Sequence, residues 1–217
     1  MSRRLWCADV HLNHGNICIY CNRPWLHPED INPYTNKFLT PELALDTAER
    51  MNIGLRKEIN MKVKPEDTVI HVGDFMTRGK ARGVEGLRTH WHEEIKKLNG
   101  TWVLLRGNHD DQNNIKTIGT WMICNVGPYM AFVSHWPTMD TRYNPPALIK
   151  YVKDNCDFAI CGHVHDKWRV QWDDKLLNIN VGVDVHKFRP IGDDEIIGIF
   201  ESEKREYNTI HSTIPTG

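Results

Sequence analysis

The sequence predicts an α/β fold of the layered-sandwich type. Three observations lead there. Short runs of apolar, β-branched and aromatic residues recur along the chain, and each closes near a Gly, His or Asp. Helix-period stripes separate the runs of the first half. The second half holds mostly strand-type runs.

In chain order, residues 4–8 (Arg-Leu-Trp-Cys-Ala) form the first strand-type run and lead into Asp9. Residues 22–40 hold three prolines and no clear period, which predicts a long loop; loops of that length by a site often act as lids or specificity walls. A surface excursion packed by Trp25, Tyr34 and Phe38 is the plain alternative. Thr40-Pro41 is a helix start, a cap followed by a first-turn proline, and Ala44, Ala48, Met51, Leu55 and Ile59 form the stripe behind it. The run 68–72 predicts the next strand. A second stripe, Val84, Leu87, Trp91, Ile95 and Leu98, stops at Asn99-Gly100. Strands are then expected at 102–105, 130–134, 158–161, 176–181 and 196–200, with a half-exposed alternating one at 168–172 and a third helix at 146–154. Residues 201–217 are polar and read as a loose tail. No linker divides the chain, so a single domain over 1–217 is expected.

Composition bounds the function. The 217 residues carry 27 Lys plus Arg against 28 Asp plus Glu, a net charge of −1, which argues against a duplex nucleic-acid binder working by bulk charge. No apolar run approaches the roughly 18 residues of a membrane span, and no secretory signal is evident. The six cysteines suit reduced thiols, so a cytoplasmic setting without membrane partners is expected. Cys18-x-x-Cys21 has no second pair nearby and reads as incidental.

The chain has 12 histidines, and many sit at the ends of apolar runs beside Asp, Asn or Gly. Five such clusters carry the chemistry: Asp9-Val10-His11, Gly73-Asp74, Gly107-Asn108-His109-Asp110, Ser134-His135 and Gly162-His163-Val164-His165. In α/β sheets sites gather at the carboxyl ends of strands. Five converging ends would assemble carboxylates, an amide oxygen and imidazoles, which are ligands for Mn²⁺, Fe or Zn²⁺. Seven ligands exceed one tetrahedral ion and suit two divalent ions sharing a carboxylate, a pair able to clamp both oxygens of a phosphoryl displacement.

In these five clusters, spread over residues 5–165, the sequence resembles the calcineurin-like metallophosphoesterase superfamily, and most closely its small single-domain bacterial and phage members. The resemblance implies a four-layer αββα sandwich of two mixed sheets flanked by helices. It implies that Asp9, His11, Asp74 and His165 bind one metal, and that Asp74, Asn108, His135 and His163 bind a second. Two divalent transition metal ions are implied, Mn²⁺ first, with Fe or Zn²⁺ as alternatives. A hydroxide held between them is the implied nucleophile, and His109 the implied acid or charge stabiliser.

Asp110 is expected either to accept from the other ring nitrogen of His109 or to cap a helix. Candidates for substrate contact are His14, Arg23 and Arg78, with an outer-layer histidine and a solvent-facing arginine as the plain readings of the first two. Asp184-x-His186 mimics the first cluster but reads as a structural turn, and Trp25 or Trp136 could stack on a base. The expected function is phosphodiester hydrolysis on a small nucleotide-type substrate. A phosphomonoesterase or protein phosphatase, and a catalytically silent interaction scaffold of the same fold, are the alternatives.

Overall fold

The computed structural model describes residues 2–77 and 90–212. The strands are β1 (Arg4–Cys7), β2 (Ile31–Asn32), β3 (Lys37–Phe38), β4 (Thr68–Val72), β5 (Thr101–Leu105), β6 (Trp121–Val126), β7 (Tyr129–Ser134), β8 (Phe158–Cys161), β9 (Val170–Asp173), β10 (Leu176–Asn180) and β11 (Ile191–Gly192). The helices are α1 (Gly15–Tyr20), α2 (Pro41–Lys62), α3 (Trp91–Ile95), α4 (Pro146–Asn155) and α5 (Asp193–Ser212).

Two mixed sheets face each other. The first runs β11-β1-β4-β5, with β1, β4 and β5 parallel; the second runs β6-β7-β8-β10-β9, with β7, β8 and β10 parallel. Alternation along the buried strands sorts the layers, because successive side chains leave opposite faces. Leu5 and Cys7 of β1 join Met51, Leu55 and Ile59 of α2 in one core, while Trp6 and Ala8 join Val133, Ile160 and Ile179 in the core between the sheets. A third cluster packs Val152 of α4 against Phe132 and Ala159 on the outer face of the second sheet. The outcome is helix, sheet, sheet, helix, as expected.

Helix α2 starts where the sequence placed it: the Thr40 side chain accepts from Leu43 N and Pro41 opens the first turn. Parallel pairing of β1 with β4 brings the first two ligand motifs side by side, and Asp67 secures it. Its carboxylate accepts from Arg3 Nη2 at 2.6 Å and from the backbone N–H groups of Arg3 and Lys64. The Arg3 hydrogen bond leads the effects that hold the Asp67 carboxyl well below the usual carboxylate range. A depressed carboxyl contributes stability above its unfolded pKa, near 4, and loses it as pH falls further. Asp67→Ala is therefore expected to cost about 2 kcal/mol at pH 7, with Arg3 partly exposed and screened, and progressively less below about pH 4. Urea titrations at pH 7 and pH 3 check the difference.

Several expectations are corrected. Residues 196–200 are helical, not a strand. Ile196 and Phe200, one helical turn apart, both enter the core between the sheets, and Asp193, Asp194 and Glu195 sit in the acidic first turn. A five-residue apolar run cannot by itself distinguish strand from helix. Residues 201–212 continue this helix, so they are no loose tail. The segment 22–40 is not wholly loop: it holds a 3-10 turn at Pro28–Asp30 and the β2–β3 hairpin. Asp30 pairs with Arg50 of α2 at 2.6 Å, and Trp25 lies against Gly54 of α2, while Tyr34 is almost fully exposed and packs nothing. Edge strand β6 was not foreseen. Of the second stripe, Trp91 and Ile95 lie in α3; Val84 and Leu87 fall outside the described residues. Among the described residues no helix is long and apolar enough to cross a membrane.

Candidate metal centre

The site begins with the backbone. Beyond β1 and β4 the chain keeps pairing: Asp9 N donates to Gly73 O, His11 N to Asp74 O and Leu12 N to Phe75 O, all at 3.0–3.1 Å. Asp9, His11, Asp74, His163 and His165 all have φ between 52° and 71°. Left-handed backbone costs a non-glycine residue about 1 kcal/mol or more, and such residues cluster at functional sites. Here it turns alternate side chains of two loops toward one point. The motif glycines have a matching cause: a Cβ on Gly107 would lie 2.2 Å from Asp74 Oδ1, and one on Gly162 would lie 2.7 Å from Asp9 Oδ2.

The structure brings the seven expected ligands together. Asp9, His11 and His165 each offer a donor atom, and the three atoms lie within 4.8 Å of one another; so do those of Asp9, Asp74 and His135, and those of His11, Asp74 and His109. Asn108 Oδ1 closes the set, 3.2 Å from His135 Nε2 and 3.0 Å from His163 Nδ1. Asp74 Oδ2 is central, 3.3 Å from His135 Nε2 and 3.5 Å from His11 Nε2.

The donor set fits divalent cations. Asp9 Oδ1 and both ring nitrogens of His11 are buried without a hydrogen-bond partner. Each such group costs about 1–3 kcal/mol, and a cation between them would remove that cost. At His11 and His163 the protonation states agree. Burial holds His11 well below the ordinary imidazole range and takes His163 down to about 4, leaving neutral rings with free lone pairs. Burial pushes the Asp9 carboxyl up to about 6, against the pull of His165 and His135. At His135 burial also acts downward, but Asp74 outweighs it and the ring stands at about 9. Burial would raise Asp74 in turn, yet the charge and hydrogen bond of His135 hold it well below the usual carboxylate range.

His109 stands at the open edge. Its ring is 39% exposed, its backbone N–H donates to Asp74 Oδ1 at 2.8 Å, and its Nε2 is 3.9 Å from Asp74 Oδ2. His14 joins it, with ring centroids 6.0 Å apart, and burial brings His14 down to about 4. Arg78 lies outside the described residues.

Two expected roles change. Asp110 does not face the His109 ring and makes no side-chain helix cap. Its buried carboxylate accepts from the backbone N–H groups of Asp74, Phe75 and Gly107 and so ties the second motif to the third. Arg23 is no substrate cation. Its side chain is fully buried, and its guanidinium donates to Asp9 O at 2.7 Å, to Val10 O at 3.0 Å and to both oxygens of Asp184. The two tryptophans are occupied as well: Trp25 meets Phe188 edge-on, and buried Trp136 stacks on Tyr143 with centroids 4.6 Å apart.

Sequence reasoning missed three residues. Asp184 does lie in a 3-10 turn, Val183–Val185, but its Oδ2 also faces His165 Nδ1 at 3.2 Å. Burial would lower His165, yet the Asp184 hydrogen bond and the Cys21 thiol carry it to about 10. Cys21, His165 and Asp184 form a further cluster with donor atoms within 4.8 Å, so Cys21 is not remote from the site. Asn180 Nδ2 donates to the carbonyls of His165 and Trp168, fixing the loop that bears the last motif. The available signal was Asp184-x-His186 directly behind strand-type run 176–181.

Fold and donor set together define a protein able to hold divalent cations at the carboxyl ends of its parallel strands. Residues 50–190 match the calcineurin-like phosphoesterase superfamily domain, and the chain belongs to that superfamily. It is 27% identical over 201 residues to MJ1445, an uncharacterized protein of Methanocaldococcus jannaschii, covering 91% of this chain and 90% of that one. In fold it resembles AQ665 of Aquifex aeolicus, a protein of unknown function, with TM-score 0.57 and 23% identity over 92% of this chain and all of that one.

Proposed function

We propose that the protein is a dinuclear, metal-dependent phosphodiesterase acting on a small nucleotide-type substrate. The observation that carries this is Asp74: one carboxylate lies within reach of donor atoms on both sides, His11 and His135, with Asp9 beside each. Asp9, His11, Asp74 and His165 would hold one ion, and Asp74, Asn108, His135 and His163 the other, with Mn²⁺ the first choice and Fe or Zn²⁺ the alternatives. Bound there, such ions supply a hydroxide nucleophile near neutral pH and neutralise phosphate charge.

The chain's own groups do the rest. His109, the partly exposed ring at the rim, would donate a proton to the leaving oxygen as the P–O bond breaks. His14 beside it presents a neutral ring to the phosphate. Asp110 acts indirectly, by fixing the Asp74 and Gly107 backbones. The six cysteines are free thiols, which supports a reducing, cytoplasmic setting.

His109→Ala is expected to leave Mn²⁺ content unchanged and to lower kcat on bis(p-nitrophenyl) phosphate about 10²–10⁴-fold, the usual span for general acid–base catalysis. Elemental analysis and initial rates test it. Unchanged kcat would remove His109 from the mechanism, and no hydrolysis of any mono- or diester by the wild type would favour the scaffold alternative. A phosphomonoesterase would instead prefer p-nitrophenyl phosphate.

The 22–40 segment is a candidate specificity wall. Deleting the hairpin tip, residues 33–36, is expected to reorder nucleotide substrates while changing bis(p-nitrophenyl) phosphate hydrolysis less than about twofold, because the ligand loops stay untouched. Unchanged substrate ratios would make the segment a surface excursion.

A further inference from the structure

A groove of about 520 Å³ opens beside His163, on the far side of that ring from Asn108. This volume falls among small-molecule sites, roughly 300–1,000 Å³. The segment 137–142 forms one wall and residues 163–171 the other. His163 belongs to both places. Its Nδ1 faces Asn108 Oδ1 inside the candidate metal centre, and its Nε2 is 4.0 Å from Asp140 Oδ2 in the groove. A phosphate ester bound at the centre would therefore have the groove open to one of its alcohol arms.

The walls have a defined chemistry. Arg142 pairs with Asp140 through two hydrogen bonds, at 2.9 Å and 2.8 Å, so its charge has a neighbouring counter-charge. Lys167 is exposed and makes no ion pair or side-chain hydrogen bond among the described residues, so its ammonium is the uncompensated charge of the groove. Its backbone is set by a turn, Lys167 N to Val164 O at 3.0 Å. Trp168 is half-buried, and its carbonyl is pinned by Asn180 Nδ2 at 2.8 Å, so the indole is carried on a fixed backbone. Gln171, on β9, adds a side chain with both donor and acceptor.

An indole, an unpaired ammonium and a primary amide select a planar, hydrogen-bonding, anionic group. An aliphatic alcohol would use none of them, and a polypeptide would need a longer surface. We infer that this groove binds the nucleotide arm of the ester: the base stacks on Trp168, Gln171 reads its edge, and Lys167 attracts a further phosphate. This deepens the phosphodiesterase reading and rests on it for the substrate's second arm, but the groove can be tested by binding alone. It also assigns base recognition to Trp168, because Trp25 and Trp136 are both packed against other rings.

The test compares adenosine 5′-monophosphate with ribose 5-phosphate, which has the phosphate and sugar but no base, by calorimetry on the full chain with Mn²⁺. The wild type is expected to bind the nucleotide at least tenfold more tightly, within the effect that stacking of one base supplies. Trp168→Ala should erase that preference. Lys167→Glu, an exposed change that leaves the core intact, should weaken adenosine 3′,5′-bisphosphate more than the monophosphate. Both variants should keep the wild-type Mn²⁺ content, because neither side chain is an expected ligand. Equal binding of the two probes by the wild type overturns the proposal. So does a preference that survives in Trp168→Ala, or a Lys167→Glu variant that weakens both nucleotides equally. If the wild type fails to hydrolyse any diester, the phosphodiesterase reading falls, and the binding comparison still decides the groove.

Discussion

Asp74→Ala is expected to empty the centre of both ions and to lower kcat/KM on a diester by about 10³-fold or more, well beyond the 10–100-fold typical of losing an outer partner of a ligand. The magnitude follows from position. Every other expected ligand serves one ion, whereas Asp74 Oδ2 lies within 3.5 Å of ring nitrogens on both sides. Its Oδ1 also accepts from the His109 N–H at 2.8 Å, so the same change releases the backbone of the expected acid. His135 would lose the carboxylate that lifts its ring to about 9. Elemental analysis after dialysis against Mn²⁺, beside a melting curve to show the fold is kept, measures the effect. Two ions per chain with retained turnover would overturn the shared-carboxylate assignment.

The second large effect is expected at a residue that touches no substrate. Arg23→Ala should destabilise the protein by about 3–5 kcal/mol, the usual cost of breaking a buried ion pair from one side. The variant leaves the Asp184 carboxylate buried with His165 as its remaining side-chain partner, and it strips the carbonyls of Asp9 and Val10 of their guanidinium donor. Those carbonyls belong to the first ligand loop, and Asp184 orients a ligand of the last. Affinity for the ion at Asp9, His11 and His165 should therefore fall about 10–100-fold, while the other ion is held more nearly as before. Urea denaturation and Mn²⁺ titration read the two effects separately. The Arg23→Ala, Asp184→Asn double variant should cost less than the sum of the two single changes, since both act through one contact. A stability loss under 1 kcal/mol for Arg23→Ala would show that the pair does not brace the loops.

The sequence marks the residues that meet. Five clusters, each at the end of a strand-type run, together with their resemblance to the calcineurin-like superfamily, singled out Asp9, His11, Asp74, Asn108, His135, His163 and His165. Within each sheet their convergence needed only the rule that parallel strands present their carboxyl ends on one side, and the packing of the two sheets joined the two halves. It also determined the helix that starts at Thr40 and the alternating faces of β1, because cap chemistry and period-two burial are local properties written in neighbouring residues.

Tertiary structure decided what each polar group does once placed. Asp110 and Arg23 had the right types for catalytic and substrate roles, yet one is consumed by three backbone N–H groups and the other by two carbonyls and a carboxylate up to 161 residues away. Asp184 passed for a plain turn residue because its partners, Arg23 and His165, are brought to it by strands from different parts of the chain. The helix at Asp193–Ser212 was mistaken for a strand and a tail for the same kind of reason: a five-residue apolar run does not record whether one face or two will be buried, and only the open space between the two sheets settled that Ile196 and Phe200 would fill it together. Hydrogen-bond partners separated by a hundred residues leave no periodic trace in a sequence, whereas caps, alternation and strand-end motifs do.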